Sequence, residues 1–357
     1  MNDVLSIGVI GGGWRTESFL RVADALPDRF RISRVYARSE RSAKRVASVS
    51  DVAIENDLQQ FLSAGGLDFI VIAIPRESVA KVLEDVVPTG IPVLLETPPA
   101  RDLNEVFDVW ASFGSTPIEV AEQYPFQPYH AARTAIIESG ILGDVNLARV
   151  STAHEYHATS LMRRWLGIGI EPAVITASVI DDPVFSVRGI DGWHEPREVV
   201  SRRITSVFRF GSRTGFYDFA DPEQYVSPIR SKHVSLHGTR GEMIDDSVSY
   251  LFGDDRVVTA RITRDETGLE GDLDGKYLRR LSLGDRVIYE NPYRPARLND
   301  DELAIAEMLS RTGHFVATGE HSYSFAEGCH DQYLSALMLQ VATTGETVVA
   351  DQLPWAR

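Results

Sequence analysis

A glycine-rich stretch near the start of the sequence has the composition of a phosphate-binding turn. It runs Gly8-Val9-Ile10-Gly11-Gly12-Gly13-Trp14-Arg15, where an apolar strand pattern gives way to a helical pattern. Glycines at such a turn allow tight backbone geometry and close approach of a pyrophosphate, whose charge the helix N-terminal amides stabilise. The third position of the G-x-G-x-x-G pattern is Thr16, which is a departure. The turn still predicts a dinucleotide site that includes Gly11, Gly13, Trp14 and Arg15.

The end of the second predicted strand supplies the residues expected beside the adenosine ribose. An NAD-preferring site normally has Asp or Glu near this position, whereas an arginine suits the 2′-phosphate of NADP. The sequence has Ala37 followed by Arg38 and Ser39. We therefore predict that Arg38 and Ser39 hold the 2′-phosphate and that NADP is preferred, with NAD as the alternative. The competing interpretation is that Arg38 is a solvated residue at a helix start.

A polar cluster in the middle of the chain has residue types that can move protons. Its members follow a strand pattern or lie on and after the next helical pattern: His154, Glu155, Tyr156, His157, Ser160, Arg163, Arg164 and Glu171. We predict that His157 or Tyr156 donates or accepts a proton. Arg163 or Arg164 would bind a substrate anion or hydroxyl, and Glu171 would orient a base. Strand alternation would separate His154 from His157, so the competing interpretation is one internally hydrogen-bonded histidine among solvated neighbours.

Metal and thiol chemistry are not expected. His154-x-x-His157 and His233-x-x-x-His237 have ligand-like spacing only on a helix, and both lie in strand-like segments. Cys329 is the single cysteine, which excludes an intramolecular disulfide and a cysteine-rich metal site. It lies in a predicted helix and is expected to be a buried, small apolar residue.

The elements that must position these residues fall into two groups. The length of 357 residues favours two domains. From residue 4 to about 121, short apolar runs alternate with helical patterns, which predicts six strands of a parallel α/β sheet. We therefore predict a Rossmann-type, doubly wound domain over residues 1–122.

The remaining residues, 123–357, predict a second α/β domain with a large, open and mostly antiparallel sheet. A helix at about Tyr129–Ser139 precedes a strand from Val145 to about His157, and one or two helices are expected over Ser160–Val179. Alternating runs over Val184–Tyr289 predict the antiparallel strands. An exposed loop over Asp265–Gly275 and two helices at the end of the chain complete the pattern.

Charge and hydropathy exclude some classes of binding partner. A formal net charge of −15 disfavours nucleic acid and anionic membranes. The longest apolar run, Phe69–Ile74, is far shorter than the roughly 20 residues that span a bilayer, so a cytoplasmic protein is expected. Only four of the 36 basic residues are lysines. Because arginine is a poor proton donor or base, this scarcity limits acid–base chemistry even where codon bias explains it.

Several motifs together resemble the glucose-fructose oxidoreductase/inositol dehydrogenase (Gfo/Idh/MocA) family. They are the glycine turn, Ile72-Ala73-Ile74-Pro75, Leu94-Leu95-Glu96-Thr97-Pro98-Pro99-Ala100, Ile136 to Val145, and His237-Gly238-Thr239-Arg240-Gly241-Glu242-Met243-Ile244. The resemblance implies a Rossmann domain, an open-sheet second domain that often forms a homo-oligomer interface, and a small sugar-like substrate. Ala73, Pro75, Glu96 and Gln123 are expected to join the cofactor-binding residues.

The sequence departs from the residues that usually carry the chemistry of this family. The resemblance implies a Glu-Lys-Pro motif and an Asp and a His four residues apart on a second-domain helix. Thr97 occupies the lysine position, the segment Leu166–Thr176 contains neither Asp nor His, and Val79 replaces a further histidine. Thr97 can hydrogen-bond a substrate oxygen but is a poor proton shuttle. Lys232, just ahead of a predicted strand, is a conceivable replacement for the lysine.

The resemblance and its departures leave three functional hypotheses. The first is an NAD(P)-dependent oxidoreductase acting on a sugar, cyclitol or similar polyol or carbonyl compound through a non-standard proton relay. The second is a catalytically degenerate, nucleotide-binding sensor or partner subunit. The third is a redox-neutral lyase or glycoside-cleaving enzyme that uses NAD(P) transiently. A homo-oligomer, dimer or tetramer, is expected through the sheet of the second domain.

Overall fold

The structure is a computed structural model that describes residues 4–189, 192–271, 273 and 275–356. The first third of the chain forms a parallel sheet in the order β3-β2-β1-β4-β5-β6. Its six strands, counted within the described residues, are β1 (Leu5–Ile10), β2 (Phe30–Tyr36), β3 (Ala53–Glu55), β4 (Phe69–Ile72), β5 (Val93–Leu95) and β6 (Ile118–Val120). All four residues of β4 are buried, as a central strand covered on both faces requires.

Helices connect these strands. They are α1 (Trp14–Ala25), α2 (Glu40–Ala47), α3 (Leu58–Ser63), α4 (Val79–Val86) and α5 (Leu103–Phe113). Side chains that accept backbone N–H bonds begin three of them: Ser39 at α2, Asp57 at α3 and Asp102 at α5. Such caps satisfy amides that have no partner within the helix. The alternation of strand and helix confirms the predicted doubly wound fold.

The second sheet is large and mostly antiparallel, as predicted. Its order is β16-β15-β14-β13-β12-β11-β7-β10-β9-β8-β17. The strands are β7 (Val145–Ser151), β8 (Ala173–Gly189), β9 (Gly192–Phe210), β10 (Arg213–Asp221), β11 (His233–Gly238), β12 (Gly241–Ile244), β13 (Ser247–Phe252), β14 (Arg256–Glu266), β15 (Leu278–Leu283), β16 (Arg286–Glu290) and β17 (Val348–Ala350). β7 and β10 pair in parallel.

Five further helices lie in this part of the described chain. They are α6 (Pro128–Glu138), α7 (Glu155–Leu166), α8 (Glu223–Val226), α9 (Asp300–Thr318) and α10 (Phe325–Thr344). A capping box between Asn299 and Glu302 begins α9. No helix within the described residues is both long and apolar enough to cross a membrane.

The segment after β7 differs from its prediction. The predicted strand to His157 was wrong, because β7 ends at Ser151 and α7 begins at Glu155. The helix predicted to reach Val179 was also wrong. Gly167 caps α7 in the left-handed conformation, at φ 62°, which favours glycine, and Pro172 disfavours helix at the residue before it. β8 then begins at Ala173. Similarly, β14 extends to Glu266 into the predicted loop, of which residues 272 and 274 lie outside the described residues.

The chain forms two compact units that are discontinuous in sequence. The first unit runs to Ala131 and includes Arg264–Leu281 and Tyr289–Cys329. The second unit contains Ala132–Thr263, Ser282–Ile288 and the residues from His330 onwards. Within the first unit, α9 packs against α1. The domain boundary at residue 122 stays a prediction.

Candidate active site

The glycine turn lies at the carboxyl ends of β1 and β4, where the strand order of the parallel sheet reverses. Gly11 donates its N–H to the Tyr36 carbonyl at 3.0 Å, and Ala73 donates to the Ile10 carbonyl at 2.8 Å. Gly11 has φ +133°, and a Cβ there would lie 2.9 Å from the Ala73 carbonyl carbon and overlap its oxygen. Glycine is therefore required at this position by both the backbone angle and the close approach of Ala73.

The N-terminus of α1 fits an anionic group. Gly13 is the N-cap, so no side chain of its own caps the helix, and a Cβ built on it would meet nothing within 4 Å. The first-turn amides thus begin at an open surface, with partial positive charge from the helix dipole. These features fit a pyrophosphate at the switch point of a doubly wound sheet.

Arg15 in the first turn of α1 is surrounded by acidic and amide side chains of the first unit. Its Nε lies 3.2 Å from a Glu96 carboxylate oxygen, and its Nη1 lies 3.0 Å from Asp301 on α9. In the amide orientation that satisfies both of its polar groups, Gln123 accepts from Arg15 at 2.8 Å and donates to the Ala121 carbonyl at 3.0 Å. Side chains from three other segments thereby hold the Arg15 guanidinium beside the glycine turn.

The electrostatics of this cluster centre on Glu96. Burial raises the pKa of Glu96, and the adjacent Arg15 charge partly offsets that effect. The guanidinium of Arg15 also lies over the ring of Trp14, 4.6 Å from its centroid, and that ring is 65% exposed. Trp14, the first residue of α1, therefore places an exposed aromatic ring beside the glycine turn.

Sequence reasoning missed Asp301. The acidic run Asp300-Asp301-Glu302 before an apolar helical pattern predicts a helix start. It does not predict which guanidinium Asp301 contacts, because Arg15 lies 286 positions earlier in the chain.

The remaining residues expected in the first unit lie on two neighbouring segments. Ala73 directly extends β4, and the exposed Pro75 precedes a short 3-10 helix, Arg76–Ser78. Thr97 follows Glu96, is half-buried, and donates its backbone N–H to the Glu96 carboxylate at 3.2 Å. Val79, at the histidine position, is buried at the start of α4. Ala73 and Thr97 thus follow adjacent strands of the same sheet.

The residues predicted to bind the 2′-phosphate lie at the end of β2. Ala37 is buried, whereas Arg38 and Ser39 are exposed at the end of β2. Ser39 Oγ accepts the Ser42 N–H at 3.1 Å and so caps α2. A surface cavity of about 540 Å³ adjoins them, lined by Ala37, Arg38, Ser39, Glu40, Ala43, Lys44, Ala47, Ile54 and Asn56. Arg38 and Lys44 are therefore exposed cations that line this cavity.

The predicted acid–base residues of the second unit gather at the N-terminus of α7. His154 is the N-cap, and its ring lies 4.8 Å from the ring of His157, edge to face. Tyr156 is also in edge contact with His157, at 5.5 Å. His157 is 5% exposed and Tyr156 4%, whereas the His154 side chain is 39% exposed. Helical geometry therefore brings His154 and His157 together, although strand alternation predicted their separation.

Arg163 and Glu171 lie towards the other end of α7. The helix of 12 residues is about 18 Å long. Arg163 is 4% exposed, donates to Asp331 at 2.7 Å and also donates to the Gly169 carbonyl at 3.0 Å. Glu171 is exposed beyond the end of α7. The structure thus groups His154, Tyr156 and His157, whereas Arg163 pairs with Asp331 and Glu171 lies beyond the end of α7.

The helix to compare with the Asp-and-His pattern is α7. The residue four positions before His157 is Ala153, which is fully buried. A histidine is thus present on the first helix after β7, and an aspartate four residues earlier is absent. The segment Leu166–Thr176, for which the absence of this pair was predicted, shares only Leu166 with α7 and otherwise follows that helix.

Comparisons with known proteins agree with this geometry. Residues 5–122 match the model of the Gfo/Idh/MocA oxidoreductase family with an NAD-binding Rossmann fold. An uncharacterized Saccharomyces cerevisiae protein, YMR315W, is 28% identical over 130 residues, which are 35% of this chain and 37% of the yeast protein. The match thus spans little more than a third of that relative.

Two solved structures have the same fold along nearly the whole chain. An oxidoreductase from Agrobacterium radiobacter, in complex with NAD+, L-tartaric acid and magnesium, has a TM-score of 0.69 at 18% identity, covering 96% of this chain and 98% of that one. Levoglucosan dehydrogenase, in complex with NADH and levoglucosan, has a TM-score of 0.69 at 16% identity, covering 98% and 100%. Both therefore show the two-part fold described above.

Proposed function

We propose that this chain, whose residues 5–122 match the model of the Gfo/Idh/MocA oxidoreductase family, is an NADP(H)-dependent oxidoreductase that acts on a small polyol or carbonyl compound. The observation that carries the proposal is the turn at Gly11–Gly13. Its close backbone approach and the open N-terminus of α1 fit a dinucleotide pyrophosphate. When bound, the nicotinamide supplies the hydride donor or acceptor.

Residues of the first unit would hold and select the cofactor. The amides at the start of α1 bind the pyrophosphate, with Arg15 beside them as a fixed cation. Arg38 binds the 2′-phosphate at the cavity that follows β2. An arginine fork suits a phosphate, whereas the ribose hydroxyls of NAD are normally bound by a carboxylate.

The proposed substrate class is a sugar, cyclitol or related compound. Levoglucosan dehydrogenase binds a sugar derivative on the same fold. Oxidation of a substrate hydroxyl releases its proton, and we assign the acceptor role to His157, with Tyr156 and His154 in contact with its ring. Thr97 donates or accepts one hydrogen bond with a substrate oxygen, because its hydroxyl is a poor proton shuttle at neutral pH.

The test of this assignment is turnover by single variants. His157→Gln is expected to lower kcat by about 10²- to 10⁴-fold, the usual contribution of a positioned acid–base group. Thr97→Val is expected to lower it by only about 3- to 10-fold, the worth of one neutral hydrogen bond. Equal losses in the two variants, with folding intact, would contradict the assignment of roles.

Cofactor preference has its own test. Calorimetric titration is expected to show tighter binding of NADP+ than of NAD+ to the unmodified protein. Arg38→Ala should weaken NADP+ binding by about 10-fold or more, since a charged hydrogen bond contributes roughly 1.5–3 kcal/mol, and should leave NAD+ binding unchanged. Lys44→Ala, which removes another cation lining the same cavity, is the matched control. Tighter NAD+ binding would overturn the NADP assignment.

A second candidate function is a nucleotide-binding sensor or partner subunit without turnover. It is favoured by Thr97 at the lysine position and by Ala153 four residues before His157. Cofactor binding without any change in nicotinamide absorbance across sugars, cyclitols and their ketones would select this candidate. Turnover that His157→Gln abolishes would exclude it.

We also propose a homo-oligomer formed through the second sheet. Large apolar side chains are exposed on its long hairpin and edge strand, namely Ile180, Phe185, Trp193, Val200 and Val349. Large apolar side chains that are this exposed are candidates for coverage by a second copy of the chain. Light scattering coupled to size exclusion is expected to give the mass of a dimer or tetramer, and a monomer at micromolar concentration would contradict this proposal.

A further inference from the structure

The carboxylate of Asp221, which is outside the predicted site, lies at the carboxyl end of β10. The N-terminus of α7 follows the carboxyl end of the neighbouring strand β7. β7 and β10 run in parallel, with Tyr217 opposite Val150. The next residues also meet, because the Ser151 hydroxyl donates to the Asp218 carbonyl. His154 follows Ser151 by three residues, and Asp221 follows Asp218 by three residues. His154 and Asp221 therefore lie beyond the same end of these two paired strands.

Side-chain alternation puts Asp221 on the face of β10 that α7 covers. Gly215 lies on this face, since a Cβ there would overlap the side chain of Met162 on α7. Tyr217 and Phe219 follow at every second position and are buried, so the next residue of the series is Asp221. Asp221 is exposed at the end of the strand and is therefore accessible to a bound molecule.

Gln224 fixes the segment that carries Asp221. Gln224 is 3% exposed, and its amide oxygen accepts the Ala220 N–H at 3.1 Å. Its amide nitrogen donates to Ser151 Oγ at 3.0 Å and to the Ser231 carbonyl at 2.9 Å. One buried side chain thus ties the residues on both sides of Asp221 to the end of β7, and such anchoring limits the movement of the carboxylate.

The charges around Asp221 come from three elements. Partial burial of the carboxylate raises the pKa of Asp221, the charge of His154 at the N-cap of α7 lowers it, and Glu155 on α7 and Glu223 on α8 raise it. On β9, the exposed Arg202 is its direct cross-strand neighbour. His154 is a titratable cation within electrostatic range of Asp221; its Nδ1 also lies 3.5 Å from the Glu155 carboxylate, and its ring contacts that of His157.

We propose that Asp221 is a positioning residue for the proton-transfer histidines at the start of α7. It would supply from β10, in addition to Glu155, a carboxylate in place of the one that position 153 lacks. A carboxylate beside an imidazole favours its cationic form. When a histidine accepts the substrate hydroxyl proton, the positive charge on the His154 and His157 pair is then stabilised by Asp221. Asp221 itself keeps its charge, and no bond to it forms or breaks. The inference rests on the proposed oxidoreductase function.

The test uses Asp221→Asn, an isosteric change at an exposed position, with Asp218→Asn as the matched control. Asp218 lies on the same strand but pairs with Arg203. The ring signals of His154 in the full-length protein, followed by NMR between pH 5 and 8, are expected to shift their midpoint down by roughly 0.5 unit or more in Asp221→Asn only, since loss of a nearby opposite charge disfavours the imidazolium. Unchanged cofactor affinity and circular dichroism would show that the variant is folded.

Kinetics supply the second measurement. At pH 7, Asp221→Asn is expected to lower kcat by about 10-fold or more with little change in KM, and the limb of the pH profile should move with the NMR midpoint. Asp221→Glu should restore most of the loss. An unmoved His154 midpoint in Asp221→Asn, or an equal shift in Asp218→Asn, would overturn the inference. Absence of turnover in the unmodified protein would instead overturn the proposed function, while the NMR result would still decide the role of Asp221.

Discussion

The two outer glycines of the GGG turn should respond differently to the same added methyl group. At Gly11, alanine must adopt φ +133° and place Cβ 2.9 Å from the Ala73 carbonyl carbon. A backbone conformation reserved for glycine costs roughly 1–3 kcal/mol, and relieving the overlap separates β1 from β4. Loss of the Ala73-to-Ile10 hydrogen bond adds about 1 kcal/mol. Gly11→Ala should therefore lower the free energy of unfolding by about 3 kcal/mol.

At Gly13, alanine has space and an accessible backbone conformation. The N-cap φ is −91° and a Cβ would meet nothing within 4 Å, so the loss of stability should be at most about 1 kcal/mol. The same Cβ would, however, project where a pyrophosphate must approach the amides. Gly13→Ala should therefore weaken NADP+ binding by about 10-fold or more, the worth of one charged hydrogen bond.

Denaturant titration and calorimetry of both variants measure these effects separately. The expected pattern is a large stability loss in Gly11→Ala and a large affinity loss with near-normal stability in Gly13→Ala. Full NADP+ affinity in Gly13→Ala would refute the reasoning that the open surface at the start of α1 receives the pyrophosphate. Normal stability in Gly11→Ala would refute the close approach of β1 and β4.

Three further predictions concern the second unit and the cysteine. Arg163→Met should lower the free energy of unfolding by about 3–5 kcal/mol, because it leaves the Asp331 carboxylate buried without its cation. Arg164→Met, at an exposed position, should change that free energy by about 0.5 kcal/mol or less. Chemical denaturation measures both values. Burial, together with the Arg163 charge, lowers the pKa of His330 to about 2. Below pH 6.5 the unfolded chain thus binds a proton that the folded chain does not, so the free energy of unfolding falls by up to about 1.4 kcal/mol for each unit by which the pH is lowered. His330→Gln should make this acid slope shallower by that amount. An unchanged slope would contradict the buried neutral ring. Burial raises the pKa of the Cys329 thiol, so a thiol reagent at pH 8 should modify it only after unfolding, and rapid labelling of the native protein would contradict its burial.

Local patterns predicted the fold of the first third of the chain well. Apolar runs such as Phe69–Ile72 and the glycine turn have one low-energy outcome in a parallel sheet, so the strands and the start of α1 followed from the sequence. The segment His154–His157 did not. Its polar residues are compatible with either the end of a strand or the start of a helix. The helix forms because Gly167 and Pro172 end it downstream and because α7 packs against β7 and β10.

Contacts between residues that are far apart in the chain could not be predicted from the sequence. Asp301 contacts Arg15, and Gln224 anchors the segment of Asp221 to Ser151, through pairings that no local spacing encodes. A single sequence therefore indicated the elements that carry the site. The partners that hold each functional side chain depended on tertiary structure.

A crystal structure of the protein soaked or grown with NADP+ would show directly whether the start of α1 binds a dinucleotide. We expect the pyrophosphate on the backbone amides that follow Gly13, beside Arg15, and the 2′-phosphate against Arg38. A dinucleotide bound elsewhere on the chain, or an empty turn at saturating NADP+ and NAD+, would contradict this expectation.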